Sequence, residues 1–388
     1  MESASHQADP LGRAKEHLAA GKTARALEIM RQAAAHQPDN PLLQNGLGVA
    51  LRFNGRLDEA AHAFSRALEL EPGMPGARVF LGMIRLAQGR QREGWRLYRA
   101  RWRFSGWLET MRYPAENVWQ GQANPGLRLL LWSEQGFGDT IQFARYAPWL
   151  RQLLHGLGGE LALEAHEPLC GLFRANWPEM EIFSRGQAKG RFNAHLPLMD
   201  LPCCWDHQVG IGGLPFLPLG LPYLRAGNSP AATGFRGGAR PLRVGIVWQG
   251  RTSHPDDRWR SIASFNMLEP LFAVPGIRWV SLQKGACGLP GWLLDGVADC
   301  NDFADTARVA AGLDLVISID SAVAHLAGAL GRPVWLLLPP IPDWRWLTCG
   351  DSTPWYPTMR LFRQQAGEGW RPVLERAATE LAGLSSLG

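Results

Sequence analysis

From Leu313 to Leu338 the pattern of apolar and polar positions changes twice. Leu313 to Ile319 is an apolar run rich in β-branched residues, the pattern of a buried parallel strand. Asp320 and Ser321 follow at once, and both are good N-cap residues. Ala322 to Leu330 then predicts a helix of small residues, closed by Gly331 and Pro333. Val334 to Leu338 predicts the next strand. The turn between the first strand and the helix sits at the carboxyl end of a strand, where open α/β sheets bind ligands. A helix start offers free N–H groups and a positive dipole end, suited to phosphate. His325 lies one turn into that helix and can point at the same ligand.

Upstream, residues 8 to 102 carry a different pattern, an internal repeat. Gly21, Gly55 and Gly89 are spaced 34 apart. Ala26, Ala60 and Gly94 keep that period, as do Met30, Phe64 and Tyr98. Pro38 and Pro72 close the first two units, and Gly48 and Gly82 mark an equivalent small position. Helix–turn–helix repeats of this length are tetratricopeptide-like, with small residues where helices approach and larger ones between them. The third unit departs from the pattern after Gly94, where GWRLYRARWRF predicts a cap that docks on the next domain. Such a stack serves either as a scaffold or as a groove for a partner or acceptor, and both readings stand on these residues.

Residues 103–126 lack periodicity and read as a linker. A second domain over 127–225 opens with a strand, Leu127 to Trp132, the glycine-rich loop SEQGFGDT, and an amphipathic helix from Ile141 to Leu153. Gly136 and Gly138 let the chain pass close to a ligand beside Glu134 and Gln135. Asp139 stands near the helix start, as a cap or as a general base. Strands at Glu160–Ala165, Met180–Phe183 and Phe192–Leu201 and a helix at Glu167–Asn176 complete a small α/β layer. His166 and His195 read as packed or surface histidines rather than catalytic ones.

Residues 226–241 form the clearest linker, and 242–388 a third domain. Its first strand, LRVGIVWQG, leads into a loop holding Arg251, His254, Asp256, Asp257, Arg258 and Arg260. A helix over Asn266–Phe272 follows, then a strand, Arg278 to Leu282, which ends at Lys284. Phe303–Ala311 is a helix that precedes Leu313. In a parallel sheet the loop cations, Lys284 and the Asp320–Ser321 turn share one edge, the arrangement a diphosphate needs. Trp344, Trp346, Trp355 and Tyr356 lie in a Pro- and Trp-rich stretch and read mainly as packing. A last helix spans Gly369 to Leu384.

Composition changes this picture little. Hydrophobic content of 46% and charge of 19% describe a globular chain. A net charge of +5 with dispersed basic residues favours an anionic small ligand at least as well as nucleic acid. The six cysteines form no C-x-x-C pair, so reduced thiols in a cytoplasmic protein are expected and zinc is not. No signal peptide is legible, and no apolar run approaches the ~20 residues that cross a bilayer.

SEQGFGDTIQFARY, VGIVWQG, the RSI loop, SLQKG, DFADTA, DSAVAHLAGALGRPVW, DWRW and STPWYP together resemble bacterial tetratricopeptide-containing glycosyltransferases. The catalytic half is similar to the heptosyltransferases, and the overall plan to the protein O-GlcNAc transferases. The resemblance implies a GT-B fold of two Rossmann-like lobes after the repeats, acceptor on the first and nucleotide-sugar on the second. It implies Asp139 as base for the acceptor hydroxyl, following Gly138. It assigns phosphate binding to Asp320, Ser321, Ala322 and His325. The family's usual Gly is Ala322 here, and its phosphate-binding Lys matches Arg258 or Arg260.

The resulting expectation is metal-independent transfer of a hexosyl- or heptosyl-type sugar to a protein or saccharide. It involves no cofactor, since the nucleotide-sugar is a substrate, no nucleic acid and at most a peripheral membrane contact. Two other classes are weighed against it: a non-catalytic repeat scaffold with a degenerate GT-B domain, and a GT-B nucleotide-sugar epimerase.

Overall fold

The computed structural model describes residues 9–104, 111–122, 124–188, 192–208, 221–227, 241–252 and 257–385. His254, Asp256 and most of the 226–241 linker lie outside the described residues. The chain divides into two units, Met1–Met111 with Asp343–Thr348, and Arg112–Pro342 with Cys349–Gly388.

In the first unit the 34-residue period becomes helix pairs: α1 (Pro10–Ala19) with α2 (Thr23–His36), α3 (Pro41–Phe53) with α4 (Leu57–Leu70), and α5 (Pro75–Ala87) with α6 (Gln91–Tyr98). The periodic glycines sit in the turn inside each pair with φ of 77°, 73° and 77° at Gly21, Gly55 and Gly89, a left-handed conformation that disfavours any side chain. Gly48 and Gly82 serve packing instead. A Cβ on Gly48 would stand 2.7 Å from the Phe64 ring, and one on Gly82 2.7 Å from the Tyr98 amide nitrogen. Gly48 thus receives the Phe64 ring of its partner helix, and Gly82 lets the backbone of α6 approach. Asp343–Thr348, from much later in the chain, belongs to this unit, and its Trp344 ring meets Trp95 edge-on at 5.0 Å.

The second unit holds two parallel sheets. The first has β1 (Arg128–Trp132), β2 (Glu160–Ala165), β3 (Glu181–Ser184) and β4 (Ala194–Pro197) in the order β3-β2-β1-β4. The second has β5 (Leu242–Val247), β6 (Ile277–Ser281), β7 (Leu294–Asp295), β8 (Leu315–Ile319), β9 (Val334–Leu338) and β10 (Met359–Arg363) in the order β10-β9-β8-β5-β6-β7. In each, the strand order reverses beside the first strand, the doubly wound pattern whose crevice binds ligands. The helices are α7 (Phe137–Ala144), α8 (Ala147–His155), α9 (Glu167–Asn176), α10 (Leu201–Gln208), the single turns α11 (Asp257–Arg260) and α12 (Glu269–Phe272), α13 (Phe303–Ala311), α14 (Ala322–Ala329) and α15 (Trp370–Ser385). The second sheet buries Val244, Ile246, Ile317 and Leu337 against Val373, Leu374, Ala377 and Leu381 of α15. Each such aliphatic side chain, fully buried, contributes roughly 1.5–3 kcal/mol.

Several boundaries differ from the sequence expectation. The helix expected over Ile141–Leu153 is two helices, because Pro148 near the start of α8 has no N–H to continue the ladder from α7. The stretch read as a linker is part of the first lobe after Arg112. Trp119 is buried and its amide donates to the His195 carbonyl at 2.9 Å. The strand expected over Phe192–Leu201 ends at Pro197, and Asp200 lies in a buried 3-10 turn. Strands β7 and β10 were not expected.

Candidate active site

Two strand-to-helix turns define the site, one from each sheet. After β8, Ser321 is the N-cap of α14, and its hydroxyl oxygen accepts the Ala324 amide at 3.2 Å. Ser318 donates to the Ile319 carbonyl at 2.6 Å, so at 2.8 Å Ser321 is the donor to Ser318. The hydroxyl is thereby fixed from both sides, and the first amides of α14 open beside it.

After β1 the turn is built differently. The N-cap of α7 is Gly136, which has no side chain to cap with. Asp139, the third residue of the helix, reaches back and accepts the Gly136 amide on Oδ2 at 2.9 Å. Gln135 just before has φ of 58°, a left-handed conformation costly for a residue with a side chain. His166 braces it, with Nε2 at 3.0 Å from the Gln135 carbonyl and its ring edge-on to Phe137 at 5.0 Å. Glu134 is buried, and Phe137 is one of the few exposed large apolar side chains among the described residues.

The two turns meet. A Cβ on Gly138 would stand 2.8 Å from Cδ2 and 3.4 Å from Nε2 of His325, and 3.6 Å from the Ala322 Cα. Only a glycine admits the imidazole this closely. His325 is 4% exposed, with Nδ1 at 3.0 Å from the Tyr356 hydroxyl and Nε2 at 3.7 Å from Oδ1 of Asp320. Its Nε2 therefore stands between the Gly138–Asp139 loop and the Asp320–Ser321 turn.

The cations divide. Arg258 is exposed, its guanidinium lying 4.6 Å over the Trp259 ring. Arg260 reaches Asp257 at 3.6 Å and lies over Gly250, where a Cβ would be 2.8 Å from its Nη2. The loop that carries both is closed by Ser261, which accepts the Gly250 amide and donates to Asp257, each at 2.8 Å. It follows β5, which pairs with β8, so these arginines share the edge of the α14 turn. Lys284 does not join them. Its ammonium donates to the carbonyls of Val297 at 3.0 Å and Cys300 at 2.6 Å, which ties it to the segment after β7. That role departs from the phosphate contact expected of it.

Sequence reasoning missed the groups that brace the first sheet, where Arg112 donates to the Ser133 carbonyl at 2.9 Å just before the Gly136 turn. Glu164, fully buried, takes Arg112 and Tyr113 and accepts the Gly186 amide at 3.0 Å. Burial raises the Tyr113 phenol well above its ordinary range. His195 accepts from Trp132 Nε1 at 3.1 Å on Nδ1 and contacts the Pro114 carbonyl at 2.8 Å through Nε2, the packed role expected of it. Nothing in the sequence placed Arg112, Tyr113 or Glu164 together, because the residues lie some 50 positions apart.

The structure thus sets two doubly wound sheets side by side, with two helix starts meeting at their carboxyl edges, where such sheets bind ligands. Residues 283–340 match the glycosyltransferase family 9 (heptosyltransferase) profile, and residues 11–75 and 50–98 match the tetratricopeptide repeat. The chain thus carries tetratricopeptide repeats and, over residues 283–340, a segment of the glycosyltransferase family 9 (heptosyltransferase) type. Protein FlbA of Caulobacter vibrioides is 29% identical over 423 residues, covering 92% of this chain and 69% of its own length. A glycosyl transferase of family 9 from Veillonella parvula aligns with 69% of this chain and 99% of its own at 11% identity, TM-score 0.43. The iron-containing dodecameric glycosyltransferase TibC of enterotoxigenic E. coli aligns with 64% of this chain and 65% of its own at 13% identity, TM-score 0.42. With scores under 0.5, neither structure decides anything about this chain. Among the described residues no helix is long and apolar enough to cross a membrane.

Proposed function

We propose that the α/β unit moves a sugar from a nucleotide-sugar to a protein or saccharide acceptor by direct, metal-independent displacement at the anomeric carbon. Asp139 takes the proton of the acceptor hydroxyl. The acceptor oxygen bonds to the anomeric carbon as the bond to the diphosphate breaks, and the negative charge collects on the terminal phosphate. The amides of α14, His325 and the arginines Arg258 and Arg260 receive that charge. Lys284 acts only through the segment it holds. The repeats offer a docking surface for an acceptor.

One observation carries this reading: Gly138 packs on His325, which brings the proposed base and the proposed phosphate turn to one place. The test is Asp139→Asn, since an amide oxygen still accepts the Gly136 N–H and keeps the turn. Transfer from the donor found in a nucleotide-sugar screen should fall by ~10²–10⁴-fold. Nucleoside diphosphate affinity by calorimetry should stay within about twofold. Undiminished turnover removes Asp139 from the mechanism.

A further inference from the structure

Behind His325 lies a buried polar network that the transfer reading does not use. Tyr356 is wholly buried and its ring packs on α14, where a Cβ on Gly328 would stand 2.6 Å from Cδ1 of the tyrosine. Its hydroxyl lies 3.0 Å from His325 Nδ1 and 3.4 Å from the Tyr223 hydroxyl. Tyr223 donates its one proton to the Ile141 carbonyl at 3.1 Å, since a carbonyl only accepts. The Tyr356 proton therefore has two acceptors, the Tyr223 oxygen and the imidazole nitrogen. The nitrogen is both nearer and much the more basic.

Arg145 completes the network. It is 6% exposed, donates to the carbonyls of Gln142 and Trp355 at 2.9 Å each, and lies 4.8 Å from the ring centroids of both Tyr223 and Tyr356. A cation against a phenol ring draws electron density from it and strengthens its O–H as a donor. Burial holds Tyr356 well above the ordinary phenol range, so the proton is there to donate at working pH.

We propose that Tyr356 is a positioning residue for His325: its hydroxyl donates to Nδ1, which places the ring proton on Nε2, between Gly138 and Asp320. The imidazole then presents an N–H, not a lone pair, to an anion at the meeting of the two turns. The second half of this inference, that the anion is a diphosphate, rests on the proposed transfer. The first half, the tautomer, does not.

Tyr356→Phe removes the hydroxyl and keeps the ring that packs on Gly328. The first readout is the side-chain ¹⁵N spectrum of His325, assigned by its loss in His325→Ala. The parent should show the Nε2–H tautomer and Tyr356→Phe a mixture of tautomers. An unchanged tautomer in Tyr356→Phe overturns the proposal, whatever binds at the site. The second readout is calorimetric affinity for whichever of ADP, GDP or UDP binds the parent most tightly. Tyr356→Phe should weaken it roughly three- to tenfold, one neutral hydrogen bond's worth. The same change made in His325→Ala should cost nothing further, because the tyrosine acts only through the imidazole. Additive losses overturn the positioning role. Parent-like binding by His325→Ala instead removes the diphosphate reading and leaves the tautomer result standing.

Discussion

The turns after β1 and β8 occupy the same place in their sheets, yet they are built by opposite means. The α14 turn is relaxed: Ser321 caps its helix from the standard position, and Ser318 fixes the hydroxyl. The α7 turn is strained: its cap position is a glycine, Gln135 is left-handed, and the capping carboxylate comes from inside the helix. A turn that only receives a phosphate needs fixed amides, which ordinary capping supplies. A turn that presents a base must hold its carboxylate while leaving a lone pair available. Asp139 caps through Oδ2, and on the proposed mechanism the same carboxylate is the base, with the left-handed Gln135 beside it.

The sharpest way to break this comparison is at Asp139. Asp139→Ala should lose transfer as fully as Asp139→Asn. It should also lose about 1 kcal/mol of stability that Asn retains, read as separate thermal midpoints. Equal midpoints would mean that the carboxylate does not cap α7. Next is Gly138→Ala. The buried imidazole, held by Tyr356, has little room to retreat from a Cβ 2.8 Å away. Displacing the two loops by about 1 Å should reduce transfer by ~100-fold. A parent-like rate would show that the close approach is not needed.

Smaller effects follow. Ser321→Ala should cost about 1 kcal/mol in denaturant unfolding, the usual value of a side-chain N-cap. Gln135→Gly should act in the other direction and raise stability by up to about 1 kcal/mol, because glycine accepts the left-handed backbone. A loss there would mean that the Gln135 side chain contributes more than its conformation costs. The mildest test is pH. Burial, the larger effect, holds His195 below the ordinary histidine value of about 6.5, against the opposing pull of the Pro114 carbonyl. The unfolded chain then binds more protons than the folded one as pH falls. The stability tied to His195 is full above about pH 6.5 and declines below it. The decline should shrink in His195→Gln.

The relaxed turn was legible because its residues report local geometry. Apolar run, capping pair, small-residue helix and closing glycine all lie within Leu313–Leu338, and β9 and α13 fell on the residues expected. The repeat was legible for the same reason, since Gly21, Gly55 and Gly89 each answer to one left-handed backbone angle. The strained turn was only half legible. Asp139 was seen as both cap and base, but Gln135 gave no sign of its left-handed backbone. Lys284 was expected at the phosphate edge and here donates to the carbonyls of Val297 and Cys300, because a strand-end position says which edge a residue is on, not which acceptors lie within its reach. Tyr356 read mainly as packing, and Arg145 and Tyr223 were not singled out at all. Their network joins α7, the 221–227 segment and the loop before β10, and only the folded chain brings them together.

The most direct test of the central claim, that the two turns form one anion site, is the structure of the protein with its tightest-binding nucleoside diphosphate. The account places the diphosphate oxygens within about 3 Å of the first amides of α14 and of His325 Nε2, with the Asp139 carboxylate facing the same space. A diphosphate bound beyond reach of α14, or one whose site is walled off from Asp139, would contradict it.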